Sequence, residues 1–562
     1  MLLSNLDLLA TAPGGVAKLR ELILTLAVQG KLVPQEPADE PASRLLQNIR
    51  AEKDRLIAEG KIKRDKPLAV IVEDEKPFEL PEGWEWSRLG SLASKLTDGS
   101  HNPPRDSGAG YPMLSSQNVR EGGIIDFTSP TRYVDEADFL IENSRTTAAP
   151  GDVLLTIVAS LGRSAVVPNG APEFVLQRSV AVIRSGLNSA FCSLYLRAPI
   201  ARAYYDLHGK GTAQKGIYLG KLGAMLIAVP PLAEQSRIVT RVEALMRLCD
   251  ALEAKGQLEA AQHAQLVSTL LGTLTTSTTA EELADNWQRV AQHFDLLLDR
   301  PEAIDALEQT LLQLAVRGLL VPQDPTDEPA SVLLQRIRAE KNRLLAEGKI
   351  KRDKPRVEPA VAVEAFTTPA GWTWACFQDL CTISGGATPS KADPRNWDGT
   401  IPWVSPKDMK VSQISDAQDH ISEAAVRGSL ALIPSGSLLV VVRGMILVHS
   451  FPVAETLVPV TINQDMKALT PHVPATLPFL ALICKGMKLE ILSLVDRSTH
   501  GTCKLESPKL FGLPLPVPPL AEQARIVARV ESLRRLCADL RQRLAERQSV
   551  QARLAEALLQ AA

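Results

Sequence analysis

The 562-residue chain is 45% apolar and 22% charged, an ordinary globular composition long enough for several hydrophobic cores and three or more folded parts. Its 62 Lys and Arg against 64 Asp and Glu leave a formal charge of −2, which excludes a uniformly basic coat and confines any nucleic-acid contact to local patches. No apolar run reaches the roughly 18 residues of a membrane span and no signal core follows the N-terminus, so a cytoplasmic location is expected; the seven scattered cysteines form no CxxC and read as buried thiols rather than disulfides or zinc ligands.

The first strong element along the chain is a helix that opens at Asp39-Glu40-Pro41 and closes at Gly60. Acidic residues and proline suit the free N–H groups of a first turn, and glycine suits a C-terminal stop. Leu45, Leu46, Ile49, Leu56 and Ile57 fall on one stripe, and the basic run Lys61-Ile62-Lys63-Arg64 follows. That run reads either as a solvated linker or as a phosphate contact.

This segment recurs. A shift of 288 positions lays Leu26–Pro67 on Leu314–Pro355 with 34 of 42 residues identical, and Val229–Cys249 on Val517–Cys537 with 17 of 21 identical, including PPLAEQ. Trp84 and Trp86 fall on Trp372 and Trp374. Residues 1 to 274 therefore map onto 289 to 562, too long a period for a solenoid. Between Leu96 and His208, against Ser384 to Asp496, little matches. The unit is thus a shared frame carrying a divergent insert, the pattern expected of one scaffold job done twice and two different recognition jobs.

Each insert opens with a paired-tryptophan turn, LPEGWEW at 80 to 86 and TPAGWTW at 368 to 374, where tryptophan reads as a packing anchor. Strand-like runs such as Gly151–Ile157 and Ser437–Val442 alternate with Gly, Pro, Asn and Ser clusters, which predicts a mixed α/β domain of about 150 residues in each copy. After PPLAEQ each copy turns helical for about 40 residues, with a coiled-coil spacing at Ile238, Val242, Leu245, Cys249 and Leu252, then at Ile526, Val530, Leu533, Cys537, Leu540 and Leu544. Gly256 weakens the first pattern, and the economical arrangement pairs the two seams into a rod. The expected boundaries are a helical segment 1–67, a recognition domain 68–230, a coiled-coil helix 231–275, a joint 276–288, a second helical segment 289–355, a second recognition domain 356–518 and a last helix 519–562.

Polar groups of the kinds that bind DNA gather in the insert loops: Ser115, Ser116, Gln117, Asn118 and Arg120, then Lys210, Thr212, Gln214 and Lys215. The second insert offers Thr388, Ser390, Lys391, Arg395, Trp403, Ser405, Lys407 and Asp408, with His500, Thr502 and Lys504 near its end. Arg, Asn and Gln make paired bonds to base edges, whereas Lys, Ser and Thr mostly hold the backbone. No catalytic set emerges: Asn102-Pro103-Pro104-Arg105 lacks the aromatic residue of a base-flipping methyltransferase, and Gly209-Lys210-Gly211-Thr212 lacks phosphate-loop spacing. His208 and His500 have no nucleophile or metal partner in fixed spacing, so no metal site is expected.

The twin segments GKLVPQEPADEPASRLLQNIRAEKDRLIAEGKIKRDKP and GLLVPQDPTDEPASVLLQRIRAEKNRLLAEGKIKRDKP, the twin PPLAEQ helices, GDVLLT, and GGATPSKADPRNWDGTIPWVSPKDM at 385 to 409 together resemble the specificity subunits of type I restriction-modification systems, over essentially the whole length. The resemblance implies an α+β fold: two mixed α/β target-recognition domains separated by long antiparallel coiled-coil helices, with a pseudo-twofold internal duplication. It implies a non-catalytic subunit whose two domains each read half of a bipartite asymmetric site on double-stranded DNA. It also implies helical spacers that dock two methyltransferase subunits using S-adenosylmethionine, joined by nuclease-translocase subunits using ATP and Mg. The alternative is a coiled-coil interaction scaffold without DNA sequence specificity, favoured by the near-neutral charge.

Overall fold

Helix α1 (Gly15–Val28) and helix α2 (Ala42–Ala58) begin the first copy. As the sequence predicts, Pro41 precedes the first helical residue of α2, and Gly60 stands beyond its end at φ +69°, where Lys61 N–H reaches back to the Leu56 carbonyl at 2.9 Å. The computed structural model describes residues 11–64, 66–211, 215–277, 279–352, 366–427, 430–497 and 503–560. It divides into two units, Met1–Leu258 with Gln548–Ala562, and Glu259–Arg547. All seven cysteines are free and buried.

The long helix α3 (Leu232–Thr276) runs unbroken through Gly256. In unit one, its seam residues Ile238, Val242 and Cys249 are buried in one cluster with Ile23, Leu24 and Val28 of α1, and Leu245 packs at the cluster's edge. Leu252 is half-buried. Residues Ala280–Gln292 form a further helix, which begins in the expected joint at 276–288 and crosses its expected boundary into the second helical segment.

The second copy repeats the frame as α4 (Pro301–Val316), α5 (Ala330–Ala346) and α6 (Leu520–Gln560). In unit two, Ile526 and Val530 join the core of the recognition domain. Cys537, Leu544, Leu533 and Leu540 pack with Ile304, Leu307 and Leu311 of α4 and with Val267, Leu271 and Leu274 from the last turns of α3. Within each unit, the seam therefore packs on the shorter helix of its own copy, and in unit two also on the last turns of α3.

One pair of charges is reversed between the copies. Arg20 on α1 bonds Asp250 at 2.6 Å and Glu253 at 3.2 Å on α3. The position equivalent to Arg20 is Glu308 on α4, which bonds Arg534 at 2.6 Å and Arg541 at 2.7 Å on α6, and Arg541 is the counterpart of Glu253. A short helix paired with the other copy's long helix would meet like charges at both positions.

The frame is otherwise the same lock built twice. Glu234, buried at the start of α3, accepts the Trp84 indole N–H at 2.9 Å and the Gln35 amide at 3.2 Å. Glu522 accepts Trp372 and Gln323 at 3.0 Å each. Arg237 pairs with Asp39 and Arg525 with Asp327, both at 2.6 Å, while Lys53 and Lys341 donate at 2.8 Å to the carbonyls of Gly90 and Gln378. These bonds tie PPLAEQ, the tryptophan turn and α2 or α5 to one another, through side chains that are the same in both copies.

The inserts share a topology that their sequences do not announce. In unit one, a four-stranded antiparallel sheet runs Ala93–Asp98, Val180–Ser185, Val153–Thr156, Ser164–Val166, and a three-stranded sheet places Tyr111–Leu114 between antiparallel Arg132–Val134 and parallel Val175–Leu176. Unit two repeats both: Cys381–Gly385, Met466–Pro471, Leu438–Val441, Val453–Thr456 with the extra strand Gln413–Ile414, and Ile401–Val404 between Asp419–Ile421 and Thr461–Ile462. A closing pair, Glu85–Arg88 with Leu226–Val229 and Thr373–Ala375 with Leu515–Val517, brings the chain back to the frame. The result is an α+β chain with two mixed domains separated by long helices.

Candidate nucleic-acid interface

In each domain, four loops converge on one three-residue hub. In unit one the hub is Gln177-Arg178-Ser179. Ser100 N–H bonds the Leu176 carbonyl at 2.7 Å, and Gln177 N–H bonds the Leu114 carbonyl at 2.9 Å just before the Ser115–Asn118 turn. Ile157 N–H bonds the Ser179 carbonyl at 2.9 Å, and Ile217 N–H bonds the Ile157 carbonyl at 2.9 Å, which adds the loop after Thr156 and the hairpin around Lys210 and Lys215.

Unit two builds the same set on Asn463-Gln464-Asp465. Ala387 N–H bonds the Ile462 carbonyl at 3.0 Å, Asn463 N–H the Val404 carbonyl at 3.0 Å, Val442 N–H the Asp465 carbonyl at 2.8 Å, and Leu505 N–H the Val442 carbonyl at 2.8 Å. A glycine permits each first crossing. A Cβ on Gly99 would lie 2.1 Å from the Leu176 carbonyl oxygen, and one on Gly386 would lie 1.9 Å from that of Ile462. Backbone-to-backbone bonds of this kind fix the loops whatever their side chains are, so the inserts diverge in sequence while keeping the platform.

The predicted site residues separate into turn-builders and exposed groups. Ser115 N–H bonds Asn118 Oδ1 at 2.9 Å, and Ser405 N–H bonds Asp408 Oδ2 at 2.9 Å, so these four close equivalent turns. Ser115, Ser116, Asn118 and Ser405 are buried. Trp403 is buried as well, packed edge-on to Trp397 at 5.2 Å with its indole N–H on the Ala387 carbonyl at 3.0 Å, so it supports the platform rather than facing solvent. The exposed middle positions of the two turns are Gln117 and Lys407.

Carboxylates accompany most of the exposed cations. Arg120 is paired with Asp126, whose carboxyl is pulled down to about 2 by its bonds to Thr128 and Arg120. Lys215 pairs with Asp206 at 3.4 Å, Arg395 with Asp393 at 2.9 Å, Lys407 with Asp419 at 2.8 Å and Lys504 with Glu506 at 3.7 Å. Lys210 and Lys391 are exposed, as are Thr388 and Ser390, and Thr388 Oγ1 donates to Gln464 Oε1 at 2.5 Å. Thr212, Gln214, His500 and Thr502 lie outside the described residues. Arg395, Lys391 and Ser390 sit around the short turn at Pro394–Asn396 rather than on the hub.

The sequence did not single out the hub itself. Arg178 and Gln464 are exposed on it, and Met445 and Ile446 are exposed beside it, following Gly444 at φ +132°. The usable signal was the small residue before each crossing, Gly99 and Gly386, but the partner strand of each crossing lies about 77 residues later in the chain. Among the described residues, no group of His, Cys, Asp and Glu suits a metal ion and no helix is long and apolar enough to cross a membrane.

The family model for the type I restriction modification DNA specificity domain matches twice, at residues 81–262 and 369–547, together more than half of the chain. The chain is 34% identical to the specificity subunit of the type I restriction enzyme EcoEI of Escherichia coli, over 98% of this chain and 94% of that protein. It is 41% identical to the EcoAI specificity subunit of Escherichia coli, over 66% of this chain and 63% of that protein. Among solved structures, one described as the structural basis of complex assembly and conformational transition of the type I R-M system aligns at 19% identity and TM-score 0.47, over 86% of this chain and 98% of that one. The HsdS subunit from Thermoanaerobacter tengcongensis aligns over the same shares at 19% identity and TM-score 0.35.

Proposed function

The chain belongs to the type I restriction-modification DNA specificity subunits, and on that premise we propose that its two domains each read one half of an interrupted, asymmetric DNA site. Sequence recognition on DNA is the role its family assigns it. The observation that carries the two-part reading is the duplicated platform: the same four loops meet the same hub in both domains, yet the exposed side chains differ, Gln117 against Lys407 and Arg178 against Gln464. Equal scaffolds with unequal reading faces suit two different half-sites.

In this proposal the chain itself does no chemistry. The long helices and the matched α2 and α5 faces dock two methyltransferase subunits that bring S-adenosylmethionine, and nuclease-translocase subunits bring ATP and Mg. The near-neutral charge accords with phosphate contacts shared with those partners. Exchanging residues 96–208 for the corresponding segment of a related subunit tests the reading. The recognised sequence changes in one half only; a change in both halves sinks the two-domain account.

A further inference from the structure

The hub positions are equivalent by their backbone bonds. Ser100 N–H to Leu176 O in one domain matches Ala387 N–H to Ile462 O in the other, and Gln177 N–H to Leu114 O matches Asn463 N–H to Val404 O. Counting forward from these anchors, Arg178 and Gln464 occupy the same place. Both are exposed at the centre of the converging loops.

Their chemistry suits base edges. Arg178, like Lys210 and Lys391, has no carboxylate within 4 Å among the described residues, whereas Arg120, Arg163, Lys215, Arg395 and Lys407 each have one, and of the three only Arg178 carries a forked guanidinium. Its backbone N–H is held by the Ser100 carbonyl at 2.9 Å, so the root of the side chain is fixed while the guanidinium is unneutralised. Gln464 is held from the other end. Thr388 Oγ1 donates to its Oε1 at 2.5 Å, which leaves the amide NH2 as a donor and one Oε1 lone pair as an acceptor. An arginine fork fits guanine O6 and N7, and a side-chain amide fits adenine N6 and N7.

We propose that Arg178 and Gln464 are equivalent base-reading residues, Arg178 contacting a guanine in the first domain's half-site and Gln464, oriented by Thr388, an adenine in the second's. This rests on the two-half-site reading above and assigns one base in each half. Thr388 is a positioning residue, and its hydroxyl selects the amide rotamer that presents donor and acceptor in the right order.

The test uses the full chain assembled with its methyltransferase subunits and duplexes carrying the site mapped by methylation. In the wild type, 7-deazaguanine, which removes N7 and keeps O6, weakens binding about 3-fold or more at one position of the first half-site, part of the worth of a paired contact. Arg178→Ala, which removes both bonds, weakens binding to the natural site by about 10-fold or more, becomes insensitive to that replacement, and leaves discrimination in the second half-site unchanged. Gln464→Ala does the same for 7-deazaadenine in the second half-site. Thr388→Val blunts that adenine preference, and Thr388→Ser preserves it. A uniform loss on all sequences after Arg178→Ala marks a phosphate contact and overturns the proposal, as does a mapped first half without guanine or a second half without adenine on either strand. If the wild type discriminates no bases at all, the two-half-site reading itself has failed.

Discussion

Glu308→Arg is the substitution in which the reversed ion pairs of the frame are most exposed to test. The Glu308 side chain is only 16% exposed and takes bonds from Arg534 and Arg541, so its carboxyl stays ionised: burial pushes it up, but the two guanidiniums outweigh burial and hold it below the usual glutamate range. Two charge-assisted bonds of this kind contribute about 2–3 kcal/mol together, after discounting for partners that are 33% and 46% exposed. A third guanidinium in their place adds repulsion of about 1 kcal/mol. The expected cost is roughly 3–4 kcal/mol, a fall of roughly 6–15 °C in the melting transition of unit two by calorimetry. Glu308→Gln, without the repulsion, costs about 1–2 kcal/mol less than that. Transplanting the first copy's residues rescues it: Asp305→Ala, Arg534→Met, Ala538→Asp and Arg541→Glu alongside Glu308→Arg. A loss below about 1 kcal/mol, or a transplant that fails to recover stability, refutes the claim that these charges assign each short helix to its own long helix.

Trp84→Phe and Trp372→Phe each remove an indole N–H from a buried carboxylate, and equilibrium denaturation should show losses of about 1.5–3 kcal/mol. The two losses should agree within about 0.5 kcal/mol, because the bonds are 2.9 and 3.0 Å long in the same setting. Glu234 and Glu522 titrate with the opposite sign to Glu308: burial raises both carboxyls more than their amide and indole bonds lower them. Folded-state protonation is then favoured, so their contribution to stability is fully present below the ordinary glutamate range and is lost as pH rises through their raised values; Glu234→Gln should flatten that limb in a stability-against-pH profile. Gly99→Ala and Gly386→Ala should each cost about 2 kcal/mol or more and abolish recognition of one half-site only, since each added Cβ meets a carbonyl oxygen at about 2 Å.

Much of the frame was legible because local signals and tertiary contacts agree there. Pro41, Gly60 and the apolar stripe define α2 by themselves, and the 288-residue shift identifies its copy. PPLAEQ was visible as a repeat, but why it repeats was not. Glu234 serves as the acceptor for Trp84, 150 residues away, and Gln235 accepts the Asn188 N–H at 2.8 Å. The seam spacing was visible in the sequence, whereas its packing on α1 and α4 depended on helices whose exposed positions have drifted between copies.

The recognition loops were harder. Ser, Asn, Asp and Trp in a loop look alike whether they face solvent or hold the turn, and here Ser115, Asn118, Ser405 and Trp403 hold it. The shared topology of the inserts was hidden because its register is set by main-chain bonds, which carry no residue signature. The hub was missed for the same reason: Arg178 becomes prominent only when Ser100, Leu114 and Ile157 are brought to its neighbours.

Base-resolution mapping of methylated DNA, in cells carrying this chain with its methyltransferase subunits against cells lacking it, tests the central claim most directly. The account predicts one interrupted sequence with two unlike halves, of which an exchange of residues 96–208 changes one. A continuous or symmetric site, or a methylation pattern indifferent to the chain, contradicts it.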